Sequence, residues 1–151
     1  MIGAARQGVT LSRYLSEKGA SVILNDRRPE QELSDVREEL ADQKITLVAG
    51  SHPVEILEGA ELVCLSGGIP LTLPLVQEAV RRNIPLSNDS QIFLETAPCP
   101  VIGITGSSGK TTTTALVGEI ARQHFAVRKP DNKVWVGGNI GNPLIRDVDQ
   151  M

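Results

Sequence analysis

The segment Val101-Ile102-Gly103-Ile104-Thr105-Gly106-Ser107-Ser108-Gly109-Lys110-Thr111-Thr112 decides how this 151-residue chain is read. An apolar run, Val101 to Ile104, leads into a glycine loop, and the pattern predicts a helix from Lys110 to about Gln123. Glycines let backbone N–H groups turn toward an anion without a Cβ in the way. A helix N-terminus adds partial positive charge. A lysine at position 110 reaches β- and γ-phosphate oxygens, and the hydroxyl of Thr111 can ligate Mg²⁺. The expected ATP·Mg²⁺ set is therefore Gly106, Ser107, Ser108, Gly109, Lys110, Thr111 and Thr112. In it Lys110 is the catalytic charge and Thr111 the metal ligand. The usual phosphate-loop pattern would begin with a glycine at position 104. Here that position is Ile104, and Gly103 comes one residue early. The run Thr111–Thr114 is a poor helix start, because β-branched side chains lose rotamer freedom there. It is easier to understand if its hydroxyls serve phosphate and metal.

Upstream, apolar runs alternate with helical periodicity. Met1–Gly3 reads as the end of a strand, Gly8–Lys18 as a helix and Ser21–Leu24 as a strand. Pro29 to about Ala41 reads as a helix, and Ile45–Val48 and Leu62–Leu65 as strands. Pro74–Arg82 is a helix with proline in its first turn. Ile84–Leu86 is a short strand, and Ser90–Glu95 a helical turn or two. Such alternation with strands apolar throughout implies a parallel sheet covered by helices. Thr96-Ala97-Pro98-Cys99-Pro100 can neither continue a helix nor enter a sheet interior. The fold class expected is α/β: a Rossmann-like unit over 1–97, then the incomplete start of a P-loop ATPase unit over 98–151. Val134–Val136 is a further expected strand of the second unit. Both ends of the chain read as cut.

A second glycine turn, Gly3-Ala4-Ala5-Arg6-Gln7-Gly8, lies between the first strand and the first helix. It is similar to the dinucleotide fingerprint, but Ala5 stands where a glycine normally admits a pyrophosphate, which disfavours tight NAD binding. Asn25-Asp26-Arg27 closes the next strand. A carboxylate there can take ribose hydroxyls and an arginine can take phosphate; Asp26 can equally be a turn or cap residue.

Composition narrows the function classes. The net charge is −3 and the basic pairs Arg27-Arg28 and Arg81-Arg82 are short, so no nucleic-acid face is expected. Cys64 sits in an apolar run and Cys99 between prolines, which fits a reducing compartment better than a disulfide framework. No apolar run approaches the ~18 residues of a membrane span. Cytoplasm is the expected location. His52 and His124 are single and distant, and are not expected to hold a metal.

These motifs, in order, resemble the Mur ligases of peptidoglycan synthesis. The Gly3–Gly8 turn with Asn25-Asp26-Arg27, Ser66-Gly67-Gly68-Ile69-Pro70, the Gly106–Thr112 loop, and Gly137-Gly138-Asn139-Ile140-Gly141 carry the resemblance. The second and fourth point to the branch that adds D-glutamate. The resemblance implies a monomeric, ATP-dependent ligase joining D-glutamate to UDP-N-acetylmuramoyl-L-alanine through an acyl phosphate. It implies substrate contacts at Arg6, Gln7, Asp26, Arg27, Gly68 and Asn139. Gly67 stands where the family usually has proline, and Ser108 where it usually has asparagine. A fragment of this length is expected to be inactive alone. The alternatives are an L-alanine-adding Mur ligase, an NAD-dependent oxidoreductase domain, and a non-catalytic nucleotide-binding module.

Overall fold

The computed structural model describes residues 1–138 and 141–151. Two compact units divide between Ile92 and Phe93, within a helix that runs Asp89–Thr96.

In the first unit, strand β1 (Val22–Asp26) pairs in parallel with β2 (Ile45–Ala49), Val22 opposite Ile45 and Asp26 opposite Ala49. Strand β3 (Val63–Cys64) pairs in parallel with β4 (Leu86–Ser87). Ile2 joins the two pairs, with parallel bridges to Asn25 on one side and Leu65 on the other. Four backbone bonds hold that junction. Gly3 N–H donates to Asn25 (2.7 Å) and Asn25 N–H to Met1 (2.9 Å); Ile2 N–H donates to Cys64 (2.8 Å) and Ser66 N–H to Ile2 (2.9 Å). The order across the sheet is thus β2, β1, the Ile2 segment, β3, β4. Counted along the chain this is 3-2-1-4-5, the order of a doubly wound sheet. It reverses between the Ile2 segment and β3.

Helix α1 (Arg6–Glu17) buries Val9, Leu11 and Tyr14. Helix α3 (Pro74–Arg81) buries Leu75, Val76 and Ala79. Two apolar clusters result. Ile2, Leu57 and Val63 pack with Leu75, Val76 and Ala79. Ala4, Val9 and Leu24 pack with Leu33 and Leu40. Leu11, Leu24, Leu33 and Leu75 are fully buried. Each such side chain contributes about 1.5–3 kcal/mol of transfer free energy, so these contacts hold the sheet and its helices together.

The helix expected over 29–41 is divided. A 3-10 turn, Glu30–Leu33, precedes the short helix α2 (Ser34–Glu39). Leu33 leaves helical geometry (φ −114°, ψ 14°) and is wholly buried; core packing here overrides helix propensity. Arg81 and Arg82 lie on the surface of α3. Both are paired with Glu78, at 2.6 and 2.7 Å.

Helix α4 is the Asp89–Thr96 helix. The second unit is built around α5 (Lys110–Arg128), with a 3-10 segment at Leu144–Gln150 that buries Ile145 and Val148. The strands expected at Val101–Ile104 and Val134–Val136 do not form. A strand exists through its ladder partner, and among the described residues neither segment has one. Val136 instead packs on α5: a Cβ on Gly118 would lie 2.6 Å from its Cγ2. Ile102, Leu116, Ile120 and Val127 remain exposed. Among the described residues no helix is long and apolar enough to cross a membrane.

Candidate functional site

The first glycine turn leaves the sheet where the strand order reverses, the place where open α/β sheets bind ligands. Its compactness comes from small residues. A Cβ on Gly8 would sit 1.9 Å from the Gly3 carbonyl oxygen, so no other residue fits. The Ser66 hydroxyl donates to that same carbonyl (3.0 Å) and ties the end of β3 to the turn. Gly67 and Gly68 follow, both exposed. Ser66, Gly67 and the Gly3–Gly8 turn therefore lie together at the strand-order reversal, where an open α/β sheet forms its ligand crevice.

Asp26 ends β1 beside the turn. Its Oδ2 accepts the Ala4 N–H (2.7 Å) and Arg28 Nη2 (3.1 Å); its Oδ1 accepts the Arg28 N–H (2.9 Å) and Nε (3.1 Å). Two donors on each oxygen are the full complement of a carboxylate. Arg28 Nη2 also donates to the Ala4 carbonyl (2.9 Å). Burial alone would raise the Asp26 carboxyl. The Arg28 side-chain bonds, the Arg28 and Ala4 amides and the guanidinium charge outweigh it, and hold the carboxyl at about 2. Asp26 and Arg28 thus form a clamp on the turn. Arg27, the arginine favoured by the sequence pattern, is exposed, while Arg28 is half-buried against Asp26. Two adjacent arginines at a strand end are indistinguishable until the turn after the strand fixes which one folds back.

The other candidates around this crevice are Arg6, Gln7, Gly68 and Asn139. Arg6 opens α1 and is exposed. Gln7 is half-buried, and its Nε2 donates to Asp89 Oδ2 (3.0 Å). Asp89 is a buried carboxylate at the start of α4 that the sequence pattern did not single out. Its only signal was its place just after a short strand. Gly68 adopts φ +93°. Asn139 lies outside the described residues.

Behind the crevice, Asn25 is completely buried. Its side-chain amide donates to the carbonyls of Val48 (2.9 Å) and Ser51 (2.7 Å), and its Oδ1 lies 2.5 Å from His52 Nδ1.

The Gly106–Thr112 loop belongs to the second unit. Gly109 takes the left-handed conformation (φ +74°) that lets the chain swing into α5 at Lys110. Lys110 Nζ folds back onto the Gly106 carbonyl (2.5 Å), so the lysine lies over its own loop. The first amide of the helix with a backbone acceptor is that of Thr113, bonded to Gly109 (3.0 Å). Among the described residues, the amides of Ser107 to Thr112 have no internal acceptor. Ser107, Ser108, Thr111 and Thr112 are exposed. This collection of undirected donors beside one ammonium has the chemistry to hold a polyphosphate. Among the described residues no group of three or more His, Cys, Asp or Glu could hold a metal unaided.

A doubly wound parallel α/β unit with a glycine turn at its strand-order reversal, followed by a unit whose glycine loop opens a helix, defines the class of this protein. Residues 1–88 match the family described as Mur ligase MurD-like, N-terminal domain, and the chain belongs to that family. It is 40% identical over 96% of its length to the UDP-N-acetylmuramoylalanine–D-glutamate ligase of Syntrophotalea carbinolica, covering 31% of that protein. To the ligase of the same name from Pelotomaculum thermopropionicum it is 38% identical over 99% of its length, covering 32%. Among solved structures it is similar to a pseudomurein peptide ligase type C from Methanothermus fervidus. That match has a TM-score of 0.52 and 26% identity, and covers 81% of this chain and 25% of the other. The chain thus spans about a third of the length of the curated relatives it matches.

Proposed function

We propose that this chain is the nucleotide-sugar-binding unit, together with the opening of the ATP-binding unit, of a ligase that joins D-glutamate to UDP-N-acetylmuramoyl-L-alanine. The observation that carries this is the crevice at the strand-order reversal, where the Gly3–Gly8 turn, the Asp26–Arg28 clamp and Ser66–Gly68 converge in a chain of this family. Arg6, Gln7, Asp26, Arg27 and Gly68 would surround the uridine diphosphate end, with Arg28 added to that set. Asn139 would meet the substrate farther along.

The Gly106–Thr112 loop fits ATP·Mg²⁺. Gly106, Ser107, Ser108, Gly109, Lys110, Thr111 and Thr112 would hold it, Lys110 neutralising phosphate charge and Thr111 ligating the metal. ATP supplies the phosphoryl group that activates the substrate carboxylate as an acyl phosphate; the amine of D-glutamate then attacks the acyl carbon, forming the amide as phosphate leaves. This chain's own part is positioning and charge neutralisation rather than proton transfer. An oxidoreductase reading is disfavoured, because Ala5 stands where the dinucleotide fingerprint has glycine and the chain carries a second glycine loop. A monomer working in the cytoplasm completes the proposal.

The test is made in a complete ligase carrying this chain. ADP release should require both UDP-N-acetylmuramoyl-L-alanine and D-glutamate. Turnover with UDP-N-acetylmuramate and L-alanine instead would move the chain to the other branch of the family. NADH binding by the chain, with no uridine nucleotide binding, would defeat the ligase reading.

A further inference from the structure

Gln7 and Asp89 stand 82 positions apart in sequence, yet the Gln7 side-chain amide donates to the buried Asp89 carboxylate at 3.0 Å. An ionised carboxylate only accepts hydrogen bonds. The Gln7 amide therefore has one permitted orientation, with NH₂ toward Asp89 and carbonyl oxygen away. That oxygen lies beside Gly67, 3.3 Å from where a Cβ on that glycine would be. Gly67 belongs to the exposed wall of the crevice. The Gln7 atom beside the exposed Gly67 is thus an acceptor, with the buried Asp89 carboxylate at the other end of the amide. An acceptor in that setting attracts a hydroxyl or imide N–H and repels a phosphate oxygen.

We propose that Asp89 is a positioning residue that determines specificity at this crevice. It locks the Gln7 amide so that the site reads a hydrogen-bond donor of the substrate's nucleoside or sugar and keeps the diphosphate on the amide side of the turn. The proposal rests on the nucleotide-sugar reading above and adds to it a polarity. Position 67 takes part in the device. Its lack of a side chain leaves room for the Gln7 oxygen, where a proline or alanine would crowd it.

The experiment titrates the 151-residue chain with UDP-N-acetylmuramoyl-L-alanine, with inorganic pyrophosphate as competitor. It compares the natural chain with Asp89→Asn and Gln7→Leu. Asparagine at 89 can pair with either end of the Gln7 amide, so the lock is lost while the shape is kept. Each variant is expected to bind the nucleotide-sugar about tenfold more weakly, the worth of one hydrogen bond. Pyrophosphate should compete against Asp89→Asn as well as, or better than, against the natural chain. A merely structural role for Asp89 would weaken both ligands together. Nucleotide-sugar affinity within twofold of the natural chain, or pyrophosphate competition that weakens in parallel, overturns the proposal alone. No binding of the nucleotide-sugar by the natural chain removes the underlying reading, and the proposal with it.

Discussion

The two glycine segments each carry two glycines and one basic residue, and they sit in different environments. In the Gly3–Gly8 turn, the protein's own groups hold several of the polar atoms. Asp26 takes the Ala4 amide, Ser66 takes the Gly3 carbonyl, and Asp89 takes the Gln7 amide. In the Gly106–Thr112 loop, the amides of Ser107 to Thr112 have no acceptor among the described residues, and the lysine rests on its own backbone. The first is a turn shaped by its protein before any ligand arrives. The second leaves its donors open, and on the reading proposed above an anion organises them. Two glycine segments of one chain can therefore be built differently, one held by neighbouring side chains and the other left open.

Removing the waiting charge should have the largest effect. In a complete ligase, Lys110→Ala should lower the ligation rate at least about a thousandfold, on the scale of losing a transition-state charge contact. Binding of UDP-N-acetylmuramoyl-L-alanine should be unchanged. Steady-state ADP release and a binding titration separate the two, and near-normal turnover would erase the contrast between the loops.

Next in size is a methyl group placed in the shaped turn. Gly8→Ala drives a Cβ into the Gly3 carbonyl and should cost more than about 3 kcal/mol, read by urea unfolding followed by circular dichroism. In the other loop, Ser107→Ala, at an exposed position, should leave the unfolding midpoint in place. Equal losses at both would mean that the two loops are equally constrained.

The Asp26 clamp sharpens the comparison through pH. Its carboxyl is held at about 2 in the folded protein against an ordinary value of 3.8. The folded state therefore binds this proton more weakly than the unfolded chain does. The resulting stabilisation, about 2 kcal/mol, is complete above the ordinary value and is lost as pH falls through the folded one. Unfolding free energies at pH 6, 4 and 2 should show this decline, and Arg28→Ala should flatten it. A decline of equal steepness in that variant would assign the acid sensitivity elsewhere. The smallest effect belongs to the surface. Glu78→Gln on α3 removes a partner of Arg81 and Arg82 and should move the melting temperature by no more than about 1 °C.

Much of the first unit was legible in the sequence, because its signals are local. Leu11 and Tyr14 mark the buried side of α1, and Val22 and Leu24 mark a buried strand. Pro74 marks the start of α3. The apolar run Val101–Ile104 reads equally well as a strand, but strand formation is a property of two segments, and no partner lies among the described residues. The clamp was half legible. Asp26 stood out by its place at a strand end, while the choice between Arg27 and Arg28 depends on how the chain bends after β1. The Gln7–Asp89 contact was illegible, since only the sheet order brings the ends of the Ile2 segment and β4 into reach.

Asn25 has a last consequence. Both of its amide protons are spent on Val48 and Ser51, so its oxygen can only accept, and the imidazole of His52 must be the donor through Nδ1. The neutral ring is thereby fixed as one tautomer, with Nε2 holding the lone pair. The linkage between β1 and the loop after β2 is therefore a directed one, running from imidazole to amide oxygen.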